Sequence, residues 1–414
     1  VRRLAYWLGL VALILLGIAL RSAHMTDINS RSPDEYSYTA YAGKLADAGP
    51  AAFPEQFKIY NEDSRYWVHP SPARFGYVLL TSAVMRITGT RNARSGAAVS
   101  WFFSILSLPL LAWLGLRFFN KPVALLAVAF FSFSFSELAM ARRAWQDATF
   151  GFLGLMLVCL TCAITAAPKR RSLHVAFFAT GAYCLLIKET GWVSFGTCIL
   201  WLAGVAYFQQ RSWDLIKTLL IGGLASLAVI FGILTALAGG IEPVIAAQQH
   251  ILKGTAESTY GIYYDGPWYQ FFWLLWLVGP LTAIMALFGA VTAFGRRSAP
   301  SRDRLHIRDW RAAQMATVMA GTFILIASFG HQLQYLRLIS PAEGAYCLLA
   351  GFGVWSLVGV ARSFSPVAGQ LAIPFLSFAL LIEGVVDYRN FTEVIVNSGM
   401  EDLAVKGIRD VMGR

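Results

Sequence analysis

The chain has 414 residues, of which 57% are hydrophobic and only 14% charged, against about 25% charged in an ordinary soluble domain; a soluble globular protein is excluded. The net charge of +11 does not indicate a nucleic-acid partner, because the basic residues fall in short loops between apolar runs, the bias that orients membrane proteins. Cys159, Cys162, Cys184, Cys198 and Cys347 all lie inside apolar runs, which leaves neither a disulfide framework nor a zinc spacing.

The first apolar run, residues 4–20, follows Arg2 and Arg3. It reads as an uncleaved signal anchor, since the RSAHM that follows is a poor small-residue cleavage site. Further runs near 96–117, 122–140, 148–166, 173–188, 190–208, 218–238, 270–294, 313–330, 341–361 and 366–384 bring the expected transmembrane helices to about eleven. Residues 75–87 are apolar but short, and read as an interfacial or re-entrant helix. With the N-terminus in the cytoplasm, the inner loops carry Arg117 and Lys121, then Lys169, Arg170 and Arg171, then Arg211 and Lys217. The next holds Arg296, Arg297, Arg302, Arg304, Arg308 and Arg311, and the last holds Arg362. A full span at 75–87 would turn the most basic loop outward, against the positive-inside rule. The expected organisation is an all-α polytopic membrane domain over 1–384. It has an outer loop at 21–95 bearing juxtamembrane helices, a second outer loop at 239–269, and a short outer tail at 385–414.

The stretch RSPDEYSYTAY at 31–41 follows the first run. Ser32 is a good N-cap, Pro33 suits the first helical position, and Glu35 stands three residues after the cap, which together make a capping box. Tyr38, Tyr41, Ala42 and Leu45 follow at helical spacing, as in a helix lying on the membrane surface. Asp34 is not the capping partner. The simplest reading of it from these residues is a surface carboxylate complementing the helix dipole; the functional reading is a general base at the membrane face.

The order of the polar elements resembles the GT-C membrane glycosyltransferases. The branch it resembles holds the protein O-mannosyltransferases and the aminoarabinose transferase acting on lipid A. Asp34-Glu35 match that branch's Asp-Glu soon after the first span. His69-Pro70-Ser71-Pro72 match a His-Pro-Pro-Leu-like stretch, departing from it at the third position. An apolar helix ending in Gly, followed by an Arg, has counterparts in residues 75–89 and Arg94. Arg142-Arg143-Ala144-Trp145-Gln146-Asp147 match a basic-to-Asp element after the third span, and residues 266–269 a Gly-Pro-Trp-Tyr element.

The resemblance implies an inverting glycosyltransferase that moves a sugar from a polyprenyl-phosphate carrier to an acceptor on the outer face of the cytoplasmic membrane. Its partners are then the lipid-linked donor, an envelope acceptor (glycolipid, glycan or protein) and the bilayer. Asp34 is the expected base, with Glu35 beside it. Asp147 is expected to position the acceptor or to share a metal with Asp34, its alternative being a plain N-terminal Asp on a helix. A divalent cation is compatible with this chemistry but is not expected, because no dense His and carboxylate cluster is evident. Arg142, Arg143, Lys188 and Arg337 are candidates for the departing phosphate. An ionisable Lys188 at the border of two apolar runs is costly unless used, or else paired with Glu189. His331 and Tyr335 accompany Arg337, and could equally form an interfacial belt. His69 is a weaker candidate, more often a surface histidine in such a loop, and His250 weaker still. Tyr263, Tyr264 and Asp265 are expected to stack on sugar or border the lipid groove, or simply to belong to an aromatic belt. The main alternative function is a transporter or flippase of a lipid-linked sugar, although no repeated halves are visible. A lipid-linked-sugar ligase of another lineage and a non-catalytic scaffold are the others.

Overall fold

The structure is a computed structural model, and it describes residues 2–25, 32–257, 266–295, 307–330 and 335–397. Among these residues the secondary structure is helical, without a β-strand. Among the described residues eight helices are long and apolar enough to cross a membrane, or up to ten if each of two bent pairs is one span. The chain is a multi-pass membrane protein. The remaining segment of the expected eleven, Arg171–Ile187, is an apolar helix shorter than these.

In chain order the helices are α1 (Arg2–Ser22), α2 (Pro33–Ala48), α3 (Phe53–Glu62), α4 (Phe75–Thr88) and α5 (Ala93–Phe118). Then come α6 (Lys121–Phe133), α7 (Phe135–Ala141), α8 (Asp147–Ala166), α9 (Arg171–Ile187), α10 (Gly191–Gly204), α11 (Trp213–Ala238) and α12 (Ile241–Glu257). The last five are α13 (Tyr269–Val278), α14 (Pro280–Phe294), α15 (Trp310–Phe329), α16 (Ser340–Phe364) and α17 (Pro366–Phe391). The segment expected to be interfacial or re-entrant is α4. Its 14 residues end at Gly89, whose φ of 71° closes the helix in the left-handed conformation that glycine adopts without strain. At 1.5 Å per residue, α4 is too short for a hydrocarbon core of about 30 Å. The helix expected to stop near 384 runs on as α17 to Phe391 and then a π turn at Thr392–Asn397; Asp387, inside the expected tail, is buried on it.

The core centres on α16, which packs against α6, α8, α14, α15 and α17 and buries most of its length. Lipid offers no hydrophobic drive between helices, so close packing of small residues must hold them together. At Gly351 an added Cβ would stand 2.7 Å from the Ala127 backbone nitrogen on α6, and at Gly353 it would collide with the Met285 carbonyl on α14.

Two breaks interrupt the spans, and each is satisfied by a charged side chain from elsewhere. The 59° bend between α6 and α7 leaves carbonyls without helical partners. Arg21, buried at the end of α1, donates from Nη2 to the Phe131 carbonyl (2.9 Å) and from Nη1 to the Ser132 carbonyl (3.3 Å). The 117° bend between α13 and α14 exposes the amides that open α14. Glu383 of α17 accepts from the Leu281 amide and from the Thr282 amide at 2.9 Å. Unpaired backbone groups cost several kcal/mol in hydrocarbon, so both side chains follow from the breaks.

Candidate active site

The site is assembled around α2, which is anchored along its whole length. Its N-terminus carries the expected capping box between Ser32 and Glu35, in which Glu35 Oε2 accepts from the Ser32 amide at 3.0 Å. The Trp145 indole donates to Ser32 Oγ at 2.8 Å. In the middle, Tyr38 packs edge-on against Tyr77 of α4, ring centres 5.1 Å apart. At the C-terminus, Arg86 of α4 donates to the carbonyls of Leu45 (2.8 Å), which also accepts the Gly49 amide, and Ala46 (3.1 Å), as suits a helix end.

Asp34, in the first turn of this clamped helix, meets Arg337 in an ion pair of 2.9 Å between Nη2 and Oδ2. Arg337 lies in the short turn Leu336–Ile339 that leads into α16. Its other terminal nitrogen stands 3.9 Å from Asp147 Oδ2, and Asp147 Oδ1 in turn accepts from Lys188 Nζ at 2.7 Å. Asp147 opens α8 and Lys188 follows the last residue of α9. Each charge therefore complements the dipole of its own helix end. The four side chains form a continuous chain, Asp34–Arg337–Asp147–Lys188, neutral in sum. Asp147 and Lys188 are buried, whereas the Asp34 and Arg337 side chains keep 18% and 14% of their surface. Solvent thus reaches the chain at the Asp34–Arg337 end. Three aromatic rings line it: the Arg337 guanidinium lies 5.0 Å from the centre of Trp145 and 5.4 Å from that of Tyr335, and Lys188 Nζ lies 5.7 Å from Tyr335 and 5.8 Å from Phe150.

The structure separates the predicted residues into groups. Asp34, Asp147, Lys188, Arg337 and Tyr335 come together in this chain. Glu35, fully buried, does not join it. Its Oε2 also takes 2.6 and 3.1 Å bonds from Arg143, and its Oε1 takes the Ala144 amide at 2.7 Å. Arg143 is thereby committed to Glu35. Arg142 is buried, with its guanidinium 5.8 Å from the Phe391 ring of α17. The alternative pairing of Lys188 with Glu189 is not made: Glu189 holds the Arg74 side chain at 2.9 Å, and Arg74 also donates to the Tyr38 hydroxyl at 2.9 Å. Burial by itself would raise the Glu189 pKa, but Arg74 outweighs it and holds the carboxyl below its ordinary range. His69 lies apart from the charge chain, its ring 6.2 Å from Tyr66. His250 stacks on Trp67 at 4.0 Å, joining α12 to the loop after α3. Arg94 is exposed, and its amide donates to the Asn92 side chain that caps α5. Tyr263, Tyr264, Asp265 and His331 lie outside the described residues.

Sequence reasoning missed Trp145 and Arg74. Trp145 joins both halves of the site: its ring faces Arg143 (4.6 Å) and Arg337, while its nitrogen holds Ser32. A tryptophan set among two arginines and an aspartate was the available signal. Arg74 had none, because both of its partners are distant in sequence. Among the described residues no group of three or more His, Cys, Asp or Glu side chains converges as a metal site would require.

No protein-family model matches the chain, and no curated protein sequence matches it. Among solved structures it is similar to the oligosaccharyltransferase of Archaeoglobus fulgidus in the apo form, with a TM-score of 0.62 at 12% identity over 96% of this chain and 56% of that one. It is also similar to AglB of the same organism, in complex with an inhibitory peptide and a dolichol-phosphate (TM-score 0.59, 12% identity, 94% and 56% covered). A third is ArnT from Cupriavidus metallidurans bound to undecaprenyl phosphate (TM-score 0.55, 15% identity, 97% and 75% covered). The chain spans little more than half the length of the archaeal chains, 56% in each case. At these identities the likeness is one of fold.

Proposed function

We propose that this protein is a glycosyltransferase. In this reading it moves a sugar from a polyprenyl-phosphate carrier to an acceptor on the outer face of the cytoplasmic membrane, inverting the anomeric centre. The observation that carries the proposal is the Asp34–Arg337 ion pair (2.9 Å) at the solvent-reached end of a buried charge chain. It sets a carboxylate beside a cation of the kind a phosphate seeks. Two of the similar structures hold dolichol-phosphate and undecaprenyl phosphate, which supports a donor of this class.

The steps follow from the charges. An arriving phosphate ester competes with Asp34 for Arg337, and drawing the guanidinium away uncovers the carboxylate. Asp34 then takes the proton of the acceptor nucleophile as the new bond to the anomeric carbon forms on one side. The bond to the phosphate oxygen breaks on the other side, so a single displacement inverts the centre. The polyprenyl phosphate leaves with its charge held by Arg337 and Lys188, and Asp147 keeps both cations in place. Glu35 and Arg143 act as the latch that holds α2 at this distance. One similar archaeal structure holds zinc and sulfate. The described residues here do not fit a divalent-ion site, because Asp34 and Asp147 are already held by cations.

The test is to complement a strain lacking the gene with wild-type or Asp34→Asn protein and compare outer-envelope glycolipids and glycoproteins by mass spectrometry. The wild type is expected to restore a sugar modification. Asp34→Asn is expected to reduce the transfer rate in reconstituted vesicles by about 10²- to 10⁴-fold while melting like the wild type. Undiminished transfer by Asp34→Asn would remove it as the base. Movement of the sugar-lipid across liposomes without a new glycosidic bond would make the protein a transporter.

A further inference from the structure

A second concavity, of about 430 Å³, lies outside the spans between α2, α3 and the turn that follows α3, within the range of small-ligand pockets. Its walls are aromatic: Tyr36 and Tyr41 from α2, Tyr66 from the turn. Tyr36 and Tyr66 present faces that are 64% and 39% exposed. Its floor is polar. Gln56 and Tyr60 of α3 are each only 1% exposed, yet Gln56 Oε1 and the Tyr60 hydroxyl have no hydrogen-bond partner, and neither does His69 Nδ1 at the side. Buried polar atoms without partners cost stability; these three atoms belong to residues that line the pocket but themselves have almost no exposed surface, so a side-chain shift must open each before it bonds to whatever fills the pocket. Lys44 lines the rim, and among the described residues no carboxylate lines the pocket.

These features select among ligands. An acyl chain would cover the aromatic walls but leave the floor unsatisfied. A pyranose ring offers an apolar face to tyrosine rings and hydroxyls, both donating and accepting, to an amide oxygen, a phenol and an imidazole. Pro33 closes one end of the pocket, and Asp34 is the next residue on α2. We propose that this pocket binds a saccharide ring of the acceptor and delivers a neighbouring hydroxyl to Asp34. This rests on the glycosyltransferase reading and adds to it the acceptor class, a glycan or the sugar headgroup of a glycolipid. The ring is recognised through Tyr36, Tyr66, Gln56, Tyr60 and His69, and an anionic substituent through Lys44.

The test uses the full chain in lipid nanodiscs and saturation-transfer NMR with methyl mannoside, N-acetylglucosamine and glucose 6-phosphate, beside a serine- and threonine-containing peptide. At least one saccharide is expected to bind. Tyr36→Ala combined with Tyr66→Ala, both at exposed positions, is expected to weaken it by about tenfold. Gln56→Leu, which keeps the volume and removes the amide, is expected to weaken it as well. Lys44→Ala is expected to weaken glucose 6-phosphate alone; equal weakening of all three sugars would overturn the assignment of Lys44 to an anionic substituent. No binding by any saccharide, binding unchanged in the double variant, or binding of the peptide alone would overturn the proposal. Polyprenyl-phosphate binding to the same nanodiscs is measured in parallel and is expected to survive in the double variant. Its absence from the wild type would instead count against the glycosyltransferase reading, leaving saccharide binding as measured.

Discussion

Adjacent residues in this chain have opposite fates, and the cause is helical geometry. Asp34 and Glu35 stand about 100° apart around α2, so one reaches Arg337 while the other is driven inward to Arg143. Lys188 and Glu189 also diverge, to Asp147 and Arg74, there because Lys188 is extended backbone just past the end of α9, where successive side chains point to opposite sides. Removing one partner of a buried pair leaves a charge without compensation. Arg143→Ala is therefore expected to destabilise the protein by about 3–5 kcal/mol, read as a lower melting temperature in detergent. Arg337→Ala, at a less buried pair, is expected to fold and to bind polyprenyl phosphate at least tenfold more weakly, about 1.4 kcal/mol; unchanged affinity would move the phosphate site elsewhere. The Glu189–Arg74 pair gives a pH signature. The Glu189 pKa is depressed below 4.5 in the folded protein, so its stabilisation is present above the unfolded pKa and is lost as pH falls through the folded value. Melting temperature is expected to hold from neutrality to about pH 5 and then drop, with a smaller drop in Glu189→Gln.

At the scale of elements, the helices were legible because apolar runs and caps are local signals. The capping box of α2, the left-handed Gly89 that ends α4 and most span boundaries follow from neighbours a few residues away. The breaks were not legible. Residues 122–140 and 270–294 each read as one apolar run, yet they bend by 59° and 117°. Such bends persist only because Arg21 and Glu383 arrive from other helices to satisfy the opened backbone. Glu383→Ala is expected to leave the first amides of α14 unpaired, at a cost of about 1–3 kcal/mol, again visible in melting. The close contacts of α16 were equally silent: a glycine in an apolar run declares no partner. Gly353→Val is expected to prevent stable packing against α14, and size-exclusion chromatography would show aggregated rather than monodisperse protein.

For the whole molecule the basic loops supply the expectation of which side each loop faces. All five cysteines are buried, so the wild type is expected to resist a membrane-impermeant maleimide. Lys58→Cys on α3 and Arg170→Cys before α9, both exposed positions, then report orientation. Outward placement of α2 and α3 predicts labelling of intact cells at position 58 and labelling at 170 only after permeabilisation. The reverse pattern would place the Asp34 site in the cytoplasm and end the outer-face reading.

Composition and periodicity by themselves determined that this is an all-helical chain threaded repeatedly through a bilayer, with a capped juxtamembrane helix bearing Asp34. These properties depend on residues close together in the chain, where dipoles, caps and apolar runs act. Only the tertiary structure decided that Asp34, Asp147, Lys188 and Arg337 are one charge chain, that Glu35 and Arg143 are its scaffold, and that His69 belongs to a different pocket. Those pairings join residues up to 303 positions apart, as in Asp34 and Arg337. Which carboxylate takes which cation is settled by where packed helices end, which no local pattern encodes.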